Sequence, residues 1–82
     1  SINYCSISIN QLLRHAIQYN ATAIVIAHNH PQGSAHPSAQ DLELTQAILQ
    51  ACDLVEIQLL DHIIIAPEQC FSFIEHDLLK SR

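Results

Sequence analysis

The stretch Thr22-Ala23-Ile24-Val25-Ile26-Ala27-His28-Asn29-His30-Pro31-Gln32-Gly33-Ser34-Ala35-His36-Pro37-Ser38-Ala39-Gln40-Asp41 decides the fold. Its first six residues form a β-branched, apolar run of strand length, which predicts a strand buried on both faces. His28 to Pro37 is polar and carries Pro31, Pro37 and the only glycine, Gly33, so it predicts a loop. Ser38 with Asp41 three residues on, then Leu42, Leu44, Ile48 and Leu49, predicts a capped helix running to Cys52-Asp53. A polar loop between a strand's carboxyl end and a helix start is where open α/β sheets place ligand sites.

Working outward, Asn10 predicts the cap of an earlier helix over Gln11–Tyr19, with Leu13, Ala16 and Ile17 on one face and Asn20 closing it. Ser1 to Ile9 alternates as an extended or irregular lead-in. Downstream, Val55 to Leu59 alternates as a strand, Ile63-Ile64-Ile65 is a separate extended segment before Pro67, and Phe71-Ser72-Phe73 is a short strand. Asp77 to Lys80 reads as a helical tail or a frayed end. The order defines an α/β fold, a sheet with flanking helices, in one domain spanning residues 1–82.

Composition narrows the function. Apolar residues make up 49% of the 82, enough for one core. The net charge of −5 leaves only Arg14, Lys80 and Arg82 as fixed cations, too few for a phosphate-binding stripe, so direct nucleic-acid binding is not expected. The longest apolar run, Ala23 to Ala27, is far short of the roughly 20 residues that cross a bilayer, and no basic stretch with an apolar core opens the chain. Cys5, Cys52 and Cys70 are odd in number and include no CxxC pair, which fits free thiols in a reducing cytoplasm. Six histidines beside a single glycine point toward metal chemistry.

Strand side chains two apart share a side, so His28 and His30 can face one point. Asp41, in the first turn of the next helix, is favoured by the helix dipole and held rigidly. Two imidazoles and a carboxylate with an open fourth position make a hydrolytic zinc site, in which water completes the coordination and is acidified. Singly, each residue has an ordinary explanation: a surface histidine, or a capping partner for Ser38. Together, two histidines placed on a strand end need something that uses them.

The string H-N-H-P-x-G-x-x-x-P-S-x-x-D over His28 to Asp41, with L-L-D-H-I-I-I over Leu59 to Ile65, resembles the JAMM (MPN-type) metalloprotease-like domain of the RadC family. Phe71-Ser72-Phe73 is similar to that family's closing strand, and the resemblance runs from about Ser6 to Leu79. It implies a JAMM/deaminase-like, three-layer-like sheet, His28, His30 and Asp41 as ligands of one zinc ion, and Ser38 as the hydroxyl that steadies an oxyanion. It also implies a glutamate general base on an earlier strand. No Glu or Asp precedes Asp41, so the expectation is a carboxy-terminal part of such a domain, without its first strands and with an exposed sheet edge that favours homodimers.

His62, beside Asp61, is a candidate for the group behind a metal ligand, set against an ordinary strand-end pair. His36 reads as a solvated loop histidine, set against a binder of stray metal, and His15 and His76 carry no signal. A deaminase site needs H-x-E and P-C-x-x-C, whereas Pro67-Glu68-Gln69-Cys70 offers one cysteine and no Glu follows His28 or His30 at that spacing. Two readings follow. One is a metallopeptidase- or isopeptidase-like hydrolase of a DNA-repair-labelled family, acting on a peptide or protein. The other is an inactive, metal-stabilised scaffold or partner-binding module.

Overall fold

Ser8, not Asn10, starts the first helix. The computed structural model describes residues 8–31 and 33–79, and its helix α1 covers Ile9–Gln18. Ser8 is extended (φ −76°, ψ 133°) and its Oγ accepts the Gln11 amide N–H at 3.1 Å. Starting there places Ile9, Leu12 and Leu13 alongside buried Ala16, so the apolar stripe gains a turn at its front. Asn20 closes the helix as expected, at φ 54°. Its N–H and that of Ala21 donate back to the Ile17 and Ala16 carbonyls, the paired bonds of a Schellman end. The lead-in over Ser1 to Ile7, with Cys5, and Lys80 of the expected tail lie outside the described residues, while Ile9 is helical.

Strand β1 (Ala23–Asn29) runs further than the apolar segment and is buried on one face only. Ile26 is 7% exposed while Val25 is 53% exposed. The sequence reads as doubly buried because Val25 is as apolar as its neighbours, but only alternate residues meet the helices. The strand also takes in His28 and Asn29, which the polar composition assigns to a loop. They pair with Ile64 and Ile65 of β2 (Gln58–Ala66), and the His30 N–H donates to the Ile65 carbonyl at 2.8 Å. Pro31, with no N–H, follows that last rung.

Helix α2 (Ala39–Leu54) begins on Ser38 as expected and runs past Cys52-Asp53 to its cap at Val55. Glu56 sits at φ 62°, and the Glu56 and Ile57 N–H groups donate to the Asp53 and Cys52 carbonyls, a second Schellman end. Val55 and Glu56 therefore belong to a turn, and the expected strand over Val55–Leu59 and the segment Ile63–Ile65 are one continuous strand.

A bulge joins the two halves. Along β2 the buried residues are Leu59, then His62, Ile64 and Ala66, so the inward parity changes between Leu59 and His62. The register skips at that point: Ile24 pairs with Leu59 but Val25 pairs with Asp61. One extra residue in β2 turns His62 onto the same face as Leu59, where a bulge-free strand would send it to the other side. β3 (Gln69–Ser72) then pairs antiparallel with β2, giving a mixed sheet of order β1-β2-β3, with Phe73 just beyond it.

Among the described residues the result is an α/β fold of two helices and a three-stranded mixed sheet. One core gathers Ala16, Ile26, Ile48, Leu49, Cys52, Ile57 and Leu59, which ties both helices to the sheet. A second gathers Ala35, Ile64, Ala66 and Phe73 under the loop. Residues 73–77 form turns and 78–79 carry no regular structure, so of the two readings for Asp77 to Lys80 the helical one is not met among the described residues. No described helix is long and apolar enough to cross a membrane.

Candidate metal centre

The carboxyl end of β1 and the amino end of α2 meet at three side chains. His28 and His30, one pleat apart, face the same way with ring centroids 5.0 Å apart. Asp41 enters from the first turn of α2: its Oδ1 lies 3.4 Å from His28 Nε2 and its Oδ2 lies 3.1 Å from His30 Nε2. The three ligand atoms all lie within 4.8 Å of one another.

Each group is held from behind. Ser38 and Asp41 form a complete capping box, in which Ser38 Oγ accepts the Asp41 N–H at 3.0 Å and Asp41 Oδ2 accepts the Ser38 N–H at 2.8 Å. His30 Nδ1 donates to the Ser34 carbonyl at 3.1 Å, across a loop turned by Gly33 at φ 79°. His28 Nδ1 lies 2.9 Å from His62 Nε2, and His62 Nδ1 lies 2.6 Å from Thr45 Oγ1, which donates to the Asp41 carbonyl at 2.7 Å.

His62 is 1% exposed and stacks on Phe73 at 4.5 Å between centroids. Burial, then the neighbouring His28, pushes its pKa down to about 4. His28 is also lowered, by burial first and by His30, against the pull of Asp41. For Asp41, burial alone would raise the pKa; the Ser38 hydrogen bonds and the two imidazoles outweigh it, and the carboxyl sits below its ordinary value. These shifts favour a charged Asp41 carboxylate and a neutral His28 ring, the states in which each can donate to a metal.

The donor set fits a small divalent ion. A tetrahedral ion with ligands at about 2.0–2.1 Å sets neighbouring ligand atoms roughly 3.3 Å apart. The two histidine–carboxylate contacts, 3.4 Å to Oδ1 and 3.1 Å to Oδ2, are of that size, each to its own carboxylate oxygen. Moreover, with the His30 Nδ1 proton given to Ser34, a neutral ring would turn the Nε2 lone pair toward a carboxylate oxygen at 3.1 Å. Two lone pairs at that distance call for a cation between them, either a ring proton or a metal.

The residues named from the sequence therefore converge. His28, His30 and Asp41 form the cluster, Ser38 caps the helix beside it, and His62 stands directly behind His28. His36 and His76 lie elsewhere, against the edge and the face of Phe71. Thr45 escapes the sequence reading. Its only signal is a polar residue on the face of α2 that also carries Ile48, Leu49 and Cys52. The carboxylate of Asp61 holds the β2 bulge, accepting from the His62 and Ile74 amides and from Ser72 Oγ.

An α/β domain presenting two strand-end histidines to a helix-start aspartate belongs among proteins with a candidate metal centre. The particular family is plain from comparison: residues 1–78 match the RadC-like JAB domain, and the chain belongs to that family. It is 58% identical to a UPF0758 protein of Acinetobacter baumannii over 96% of its own length and 34% of the relative's. It is 60% identical to one from Acinetobacter baylyi over 100% of the chain and 30% of the relative. For one from Psychrobacter sp. the figures are 46% identity, 90% and 33%. The chain thus spans about a third of the length of these curated relatives.

Proposed function

We propose that the chain carries the zinc-holding part of a metallopeptidase- or isopeptidase-like hydrolase site. The observation that carries this reading is the convergence of His28, His30 and Asp41, with Asp41 locked by the Ser38 capping box. Zinc bound there supplies Lewis acidity and a water acidified to a pKa of about 7. His28 and His30 hold their ring nitrogens toward that point, and Asp41 contributes the compensating charge. Ser38 uses its oxygen to accept the Asp41 N–H, which leaves its exposed O–H directed by no partner among the described residues. That proton can be donated to the oxygen of an amide carbonyl as negative charge develops on it. The base that takes the proton from water is a glutamate in the family that the sequence resembles, and none precedes Asp41 in these 82 residues. Peptide or protein is the substrate class, in a cytoplasm where Cys52 and Cys70 remain free thiols. The DNA-repair label draws no support from a chain of net charge −5.

A second reading, an inactive metal-stabilised scaffold, rests on Asp41 being the only carboxylate of the cluster among the described residues. The test is zinc-loaded full-length protein with a library of peptides and isopeptide-linked peptides, read by mass spectrometry. Cleavage that a chelator abolishes and Ser38→Ala lowers by roughly a hundredfold in kcat supports the hydrolase. Intact substrates with zinc bound would transfer the case to the scaffold.

A further inference from the structure

We infer that Thr45 and His62 are positioning residues that fix the ring tautomer of His28, so that its Nε2 lone pair faces the metal position. The inference rests on the metal reading above and deepens it. A threonine hydroxyl has one proton. The Asp41 carbonyl, 2.7 Å from Thr45 Oγ1, can only accept, so that proton goes to it. Thr45 Oγ1 must then accept at its other short contact, 2.6 Å from His62 Nδ1, which puts a proton on Nδ1. His62 is fully buried, and among the described residues its ring nitrogens meet Thr45 and His28 with no carboxylate bonded to either, so burial favours the neutral ring. A neutral ring protonated on Nδ1 has a bare Nε2, which accepts from His28 Nδ1 at 2.9 Å. His28 is thereby protonated on Nδ1 and presents Nε2 to Asp41. His30 reaches the same tautomer by a simpler device, the Ser34 carbonyl. The relay begins on the backbone of Asp41 itself, so one ligand's helix turn sets the proton position on another.

The test is long-range proton–nitrogen correlation of the histidine rings in zinc-free, labelled full-length protein at about pH 8, where neutral rings dominate. Wild type is expected to show His28 and His62 protonated on Nδ1, and Thr45→Ser to keep both. Thr45→Val is expected to move both rings toward the Nε2 proton. It should also weaken zinc binding roughly 10–100-fold in chelator competition, with Thr45→Ser restoring it. A wild-type His28 with its proton on Nε2 and a bare Nδ1 overturns the inference, and so do unchanged tautomers and affinity in folded Thr45→Val. Should Thr45→Val fail to fold, the wild-type rings decide alone. Wild-type rings protonated on Nδ1 in a protein that takes up no zinc would support the relay and defeat the metal reading.

Discussion

α1 and α2 are built alike at both ends. Each begins on an extended serine whose hydroxyl accepts the N–H of the third helical residue, Gln11 at 3.1 Å and Asp41 at 3.0 Å. Each ends on a residue of positive φ, Asn20 or Glu56, with the paired backbone bonds of a Schellman motif. They differ in what the third residue does. Gln11 leaves α1 with no acid in its first turn, and that helix only packs. Asp41 completes the capping box of α2 and, from the same carboxylate, meets two imidazoles. A helix start becomes a candidate metal centre through one side chain, provided that a strand end brings partners to it.

The most forceful way to break the comparison is Asp41→Gln, which gives α2 the third residue of α1. Zinc affinity, measured by chelator competition, is expected to fall by at least about a hundredfold, because a neutral amide replaces an anionic ligand. The helix should survive.

Acid should separate the two helix starts next. The folded pKa of His62 is about 4 against an ordinary 6.5, so between those values the unfolded chain binds a proton that the folded one does not. In zinc-free protein the stability from this group is full above pH 6.5 and is lost toward pH 4, by roughly 2–4 kcal/mol. His28, also lowered, acts in the same direction. Asp41 extends the loss further down: its depressed pKa gives stability above the ordinary carboxylate value that disappears as pH falls through the folded one. Chemical denaturation at a series of pH values should show this slope, and His62→Gln should flatten it. A flat profile in wild type would contradict the buried neutral imidazole.

The serines sharpen the contrast. Ser8→Ala and Ser38→Ala are each expected to cost about 1 kcal/mol in denaturant melts. Only Ser38→Ala should also weaken zinc binding, by roughly tenfold, since Asp41 then loses the N–H···Oγ bond that fixes its turn. The smallest effect runs the other way. Gln11→Asp should raise stability by about 0.3–1 kcal/mol through the helix dipole and recruit no metal.

Much of this candidate centre is legible in the sequence, because its candidate ligands and the cap beside them sit at fixed local spacings: two residues along a strand for His28 and His30, three along a helix start for Ser38 and Asp41. The α/β order and the Schellman residue Asn20 follow from local pattern as well. Other features depend on distant partners. Ser8 and Gln11 also have the serine-to-glutamine spacing of a cap, yet Asn10 competes with them until packing of Ile9 and Leu12 decides. β1 looks doubly buried because composition does not tell which face meets the helices. The single strand β2 reads as two because the bulge breaks its alternation between Leu59 and His62. Thr45 reads as one more helix residue until the bulge turns His62 toward it.

Elemental analysis of untagged wild-type protein, beside Asp41→Ala, tests the central claim most directly. The account predicts close to one zinc per chain in wild type and almost none in the variant, with both folded. Folded wild type that holds no zinc even after zinc is added would contradict it.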